Sequence, residues 1–182
     1  MVVGAYNAAP GTTLLTSLVA ESEAGKSLAE IATILTTSDT FNATYPTFQT
    51  AAEFGAEFLG NLLPGVPAAA LAEGVTIVEG LLAAGGTRAD VVRISVEFLA
   101  QLDEADAALG TYAANFNNKV AVATYYTLTL EQADVSATAI ASVTSDVATV
   151  ATANTAANTT ATAADAVAGK TFTLTTGAET IT

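Results

Sequence analysis

Apolar residues recur along most of this chain at the three- and four-residue spacing of helices that bury one face. Ala9-Pro10-Gly11 reads as a turn, with Thr12 or Thr13 placed to cap a helix whose apolar face is Leu14, Leu15, Leu18 and Val19. Gly25 ends it, and a second helix from Ser27 presents Leu28, Ile31 and Leu35. Ser38-Asp39-Thr40 starts a short turn or helix that carries Phe41 and Tyr45 up to Pro46, which stops it. Thr50 and Glu53 open the next helix, with Phe54, Phe58, Leu59 and Leu62 as its stripe, and Pro64-Gly65 breaks it. Pro67 suits the first position of a helix bearing Leu71, Val75, Val78 and Leu82, which ends at Gly85-Gly86. A helix from Thr87 then presents Val91, Ile94, Phe98 and Leu102. Beyond Asp103-Glu104-Ala105-Asp106 a helical stretch runs to about Thr124, broken or bent near Gly110.

The pattern then changes. Tyr125-Tyr126-Thr127-Leu128-Thr129-Leu130 has strand propensity, but its helical surroundings favour an extension of the helix. From Val135 the chain is rich in Ala, Thr, Val and Asn, and Ile140, Val143, Val147 and Val150 are spaced for one face of a long helix. Asn154 to Thr162 is weaker helix, and Ala163 to Ala168 a last turn ended by Gly169. Thr171 to Thr182 alternates apolar and polar around Thr176-Gly177, which is a β signal. It stops in mid-pattern, so the chain is expected to be the front of something longer.

One stretch occurs twice. Ala24-Gly25-Lys26-Ser27-Leu28-Ala29-Glu30 and Ala84-Gly85-Gly86-Thr87-Arg88-Ala89-Asp90 each combine a glycine stop, a hydroxyl cap and an acid three positions later. Ser27 and Thr87 stand sixty positions apart. Each stretch reads as one helix ending and another beginning with a capping box, Asp90 reaching back less well than the longer Glu30. The fold expected is all-α: two related helix-turn-helix units at about 5–45 and 58–106, further helix over 107–169, and a β lead-out over 170–182.

Composition narrows the function. The 182 residues include no Cys, His or Trp, which removes disulfides, zinc-thiolate sites and the commonest catalytic bases. Five basic and 18 acidic residues give a net charge of −13, which repels nucleic acid and bare anionic lipid unless cations bridge them. The first residues lack a basic leader, and no apolar run approaches the roughly 18 residues of a membrane span. Acid pairs hydrolyse glycosides in other proteins, but the acids here fall mostly on caps and polar faces, so no enzyme is expected.

Two clusters carry candidate chemistry. Asp103, Glu104 and Asp106 offer the oxygen ligands of a calcium ion, and equally the solvated acidic start of a helix. Tyr112, Asn115, Asn117, Asn118, Lys119, Tyr125 and Tyr126 combine aromatic faces, amides and a cation, the groups that stack on and hydrogen-bond to sugars. The structural alternative puts Phe116 and some of the tyrosines in the core and the asparagines in a turn; Asn117, Asn118 and Lys119 are expected at the surface. Thr152, Thr155 and Thr159 are too irregularly spaced for an ice-binding face.

The paired units, with Pro-Gly turn, amphipathic helix and Ala-Gly-x-Ser/Thr-x-Ala-Glu/Asp, resemble the helical repeat domains at the front of large bacterial surface proteins. These include S-layer proteins of Gram-negative bacteria and proteins with calcium-binding glycine-rich (RTX) repeats. Phe172-Thr-Leu-Thr-Thr-Gly-Ala-Glu-Thr-Ile-Thr182 is similar to the segment that leads into their β-roll. The calcium nonapeptide itself is absent, so the family's calcium sites and type I secretion signal would lie beyond this chain. The resemblance implies an extracellular, non-enzymatic anchoring domain on the cell surface. Its partners would be lipopolysaccharide or another surface polysaccharide and copies of itself, with calcium as the associated ion. The alternative is a self-assembly or adhesin module that binds protein.

Overall fold

The structure, a computed structural model, describes residues 1–168, with side chains to residue 162. The expected β lead-out over 170–182 lies outside the described residues, as does Gly169. Among the described residues the helices are α1 (Val2–Tyr6), α2 (Gly11–Glu23), α3 (Leu28–Thr36), α4 (Asp39–Thr44), α5 (Ala51–Leu62), α6 (Ala68–Ala83), α7 (Arg88–Gln101), α8 (Gly110–Thr124) and α9 (Ala148–Ala168), with a π-helical turn at Tyr125–Thr129 after α8. No strand is present among them, and their only isolated β contact is an antiparallel bridge between Ala9 and Ser136. The class is all-α. No helix among the described residues is long and apolar enough to cross a membrane.

The duplicated turn forms twice with matching hydrogen bonds. Gly25 and Gly85 take φ of +89° and +92°, a region open to glycine, and Lys26 and Gly86 donate back to Glu21 and Leu81 at 3.1 and 3.0 Å. Ser27 and Glu30 complete the first capping box, with Ser27 N–H to Glu30 Oε2 at 2.8 Å. Thr87 and Asp90 complete the second at 2.9 Å, so the shorter acid closes its box as tightly as the longer one. The surroundings of the two turns differ. α6 lies along α5 as a helical hairpin, whereas α2 packs against the π turn, and α3 and α7 pack on each other between them. A second unit beginning at residue 58 starts inside α5.

Aromatic residues build the centre. Phe41 and Tyr45 from α4 and its end meet Phe54 and Phe58 from α5, all essentially buried. Phe54 and Phe58 stack at 5.6 Å, and Tyr45 meets Phe54 edge-on at 5.7 Å. Arg88 closes the cluster. Its guanidinium lies 4.6 Å from the Phe54 ring centre and donates to the carbonyls of Tyr45, Pro46 and Gln49 at 2.9, 3.1 and 3.2 Å. One side chain thus ties the second capping turn to the loop after α4.

Several sequence expectations are corrected. Val2–Tyr6, for which the sequence pattern indicated no element, form a core helix: Val2, Val3 and Ala5 are buried, and α1 packs against α3, α4, α7 and α8. Neither Thr12 nor Thr13 caps α2 through its side chain. Their backbone N–H groups instead donate to the carbonyls of Gln132 and Ala133 at 2.8 and 3.3 Å. Pro67 is the N-cap of α6 rather than its first helical residue. α7 buries Ala89, Val92, Val96 and Leu99 with Val91, and leaves Ile94 and Phe98 43% and 52% exposed. Apolar residues lie on more than one face of this helix, and packing against α3 chooses between them. The acidic stretch after Leu102 is a run of turns, and the next helix starts only at Gly110.

The largest correction is at residues 131–147, expected in part as helix. They are turns and extended chain, and the helix begins at Ala148. Ser136 is paired with Ala9 in both directions, at 2.9 and 3.0 Å. Local side chains take the backbone N–H groups a helix would use: Ser136 Oγ accepts from Ala139, Thr144 Oγ1 from Asp146, and Asp146 Oδ1 from Ala148. Ile140 and Val143 are nonetheless buried, while Val147 is exposed. The stretch from Asn154, expected to be weak, lies within the continuous 21-residue α9, whose buried stripe is Ala153, Ala157 and Ala161.

Candidate functional site

α8 sets the frame of the site. Asp106 Oδ1 accepts from the N–H groups of Ala108 and Leu109 at 2.9 and 2.8 Å, a turn that delivers the chain into the helix. One side of α8 sends Ala113, Phe116, Val122 and Ala123 into the core. Tyr112, Asn115 and Lys119, at helical spacing, face a cleft of about 410 Å³ instead. The cleft's other walls come from distant parts of the chain: Asn7 at the end of α1, Gly60 and Asn61 on α5, Pro64, and the loop from Ala141 to Ser145. Asn7 sits at φ 48°, ψ 43°, a left-handed position that asparagine tolerates better than most residues.

Lys119 is 8% exposed, so the expectation of a surface lysine is corrected. Its ammonium donates to Asn7 Oδ1 at 2.8 Å, and burial pulls its pKa below the ordinary lysine value. Asn115 is 7% exposed; its Nδ2 donates to the Val143 carbonyl at 3.2 Å, and its Oδ1 is buried without a partner. The amide orientation follows from the network, because the reverse would set two oxygens against each other. Asn61 turns its Nδ2 to the Tyr45 hydroxyl at 3.1 Å, linking this wall to the aromatic centre. Among the described residues the cleft lining contains Asn, Thr, Ser and Tyr with one Lys, and no carboxylate.

The remaining predicted residues divide. Asn118 Nδ2 donates to the Thr144 carbonyl at 2.9 Å and, with Asn115, pins the loop that forms one wall. Asn117 donates to Glu104 Oε1 at 2.7 Å, away from the cleft lining. Tyr126 donates to the Asp134 carbonyl at 3.3 Å and lines a separate small depression against α9. Tyr125 is half-buried in the π turn and is not in the cleft lining. The structure therefore brings together Tyr112, Asn115 and Lys119 and adds Asn7 and Asn61. Those two were invisible to a reading of local clusters, because α1 and α5 reach the site only through the fold.

The candidate calcium ligands are used one by one. Asp103 Oδ1 accepts from the Ala105 N–H at 2.9 Å, Glu104 from Asn117, and Asp106 from the start of α8. Among the described residues no three acids gather as a metal site. No protein-family model, curated protein or solved structure matches this chain.

Proposed function

We propose that this domain binds polysaccharide and thereby anchors a surface protein to the cell exterior, lipopolysaccharide being the partner that the resemblance of its helical turns implies. The observation that carries the reading is the cleft on α8. An aromatic wall at Tyr112, three asparagines and a buried ammonium provide a stacking face with donors and acceptors, as a hydroxyl-rich ring requires. The role is non-enzymatic, a reading supported by the lack of His and Cys. Calcium is the proposed bridging ion between acidic copies, because neighbours at −13 each repel one another. Binding of the purified chain to immobilised lipopolysaccharide and to its released polysaccharide, with and without calcium, tests the proposal. Tyr112→Ala is expected to weaken binding at least about tenfold. No binding of the parent chain to either material under any calcium condition removes the anchoring function.

A self-assembly or adhesin role is the second reading, favoured by a second feature. An apolar groove between α2, α3 and the end of α8 is lined by Leu15, Leu18, Ile31 and Ala123, with Val19, Leu28, Val120 and Leu128 exposed around it. Concentration-dependent sedimentation that Leu28→Asp abolishes is the result this reading expects.

A further inference from the structure

We infer that the α8 cleft selects a sugar acid, binding the carboxylate at Lys119 and an adjacent hydroxyl or amide N–H at Asn115; the inference rests on the polysaccharide reading above. Three observations carry it. Lys119 has three donors, is 8% exposed, and among the described residues has one hydrogen-bond acceptor, Asn7 Oδ1. Asn115 Oδ1, four residues earlier on the same face of α8, is a buried acceptor with no donor among the described residues. Among the described residues no carboxylate lines the cleft, although the whole chain carries 18 acidic residues. The site therefore has spare donors of positive charge beside one spare acceptor.

A ligand that satisfies both needs a negative acceptor next to a neutral donor. The carboxylate of a uronic acid beside its ring hydroxyls has that arrangement, and a neutral hexose leaves the ammonium without its counter-charge. Buried polar groups left unpaired are what make such sites discriminating. One ammonium balances one negative charge, so a monoanionic carboxylate fits better than a phosphate ester carrying about −1.5 to −2. The net charge of −13 does not decide the matter at the site. At physiological salt, exposed charges more than about 8 Å away are largely screened, while the walls of the cleft are not.

The test is a titration of the intact chain followed by ¹H–¹⁵N NMR, with D-galacturonic and D-glucuronic acid, their methyl esters, the parent hexoses and the hexose 6-phosphates. At least one free acid is expected to shift the side-chain amides of Asn7 and Asn115 and to bind at least tenfold more tightly than its ester and its hexose. Lys119→Gln is expected to reduce that preference to twofold or less. Should Lys119→Gln fail to fold, the comparison of acid with ester on the parent chain still decides. Equal binding of acid, ester and hexose overturns the acid preference and leaves the polysaccharide reading standing. Tighter binding of the phosphates overturns it in favour of phosphorylated sugar. If no free acid binds while lipopolysaccharide does, the acid assignment falls alone; if lipopolysaccharide and every sugar fail, both readings fall.

Discussion

The Lys119 ammonium donates to the Asn7 side-chain oxygen at 2.8 Å, joining residues 112 positions apart. The bond ties the end of α1 to the middle of α8 and forms the floor on which the candidate site depends. A lone ammonium taken out of water for a single hydrogen bond is held against its desolvation cost. Lys119→Met is therefore expected to raise stability by about 1 kcal/mol in the absence of ligand, and to lose the preference for acidic sugar. Urea denaturation midpoints check the first part. A loss of stability instead would make the Asn7 contact a structural tie rather than a cost borne for binding.

Arg88 should be sensitive even to a conservative change. Lysine keeps the charge but cannot donate to three carbonyls while stacking on Phe54. Arg88→Lys is expected to cost about 1–3 kcal/mol, read as a fall in the denaturation midpoint with an unchanged slope.

Gly11 and Gly25 both have positive φ, at +69° and +89°, but only Gly11 is crowded. A Cβ at Gly11 would come within 2.5 Å of the Ala133 and Asp134 carbonyl oxygens, whereas at Gly25 it meets open space. Gly25→Ala is expected to cost about 1 kcal/mol from backbone strain alone. Gly11→Ala should cost at least twice that, since it also pushes away the Ala133 carbonyl, which accepts from Thr13 at the start of α2, and the Asp134 carbonyl, which accepts from Tyr126. Paired thermal melts compare them; equal losses would mean that the Gln132–Asp134 segment yields freely.

The caps imply an acid limb to stability. Hydrogen bonds from the cap residues hold Glu30, Glu53 and Asp90 below their ordinary values of 4.5, 4.5 and 3.8. As pH falls below those values the unfolded chain takes up these protons before the folded one. The stabilisation is thus complete at neutral pH and is lost as pH falls through the lowered native values. Glu30→Gln with Glu53→Gln, which keeps acceptors at the caps, should flatten the decline of melting temperature between about pH 5 and 3. A decline as steep as the parent's would place the acid sensitivity elsewhere.

What the sequence determined by itself was local. A hydroxyl residue and an acid three positions apart can close a cap from local geometry, so the boxes at Ser27, Thr50 and Thr87 were legible, as were the stripe from Phe54 to Leu62 and the glycine stops, although the same spacing at Thr76 and Glu79 lies inside α6. Tyr112, Asn115 and Lys119 were legible only within a seven-residue cluster along the chain, from which the fold left Asn117, Asn118, Tyr125 and Tyr126 outside the cleft lining. Tertiary structure decided the rest. Val91, Ile94 and Phe98 lie at helical spacing, and so do Val92, Val96 and Leu99; packing on α3 buried the second set with Val91. The stretch from Val135 carried a helical spacing at Ile140, Val143, Val147 and Val150, but pairing of Ser136 with Ala9, and of Gln132 and Ala133 with the start of α2, drew the backbone of this region elsewhere. The cleft itself required Asn7, Asn61 and the Val143 loop to meet α8, and no local pattern encodes that meeting. Spacing along one element fixes which side chains share a face, while burial depends on what the rest of the chain sets against it.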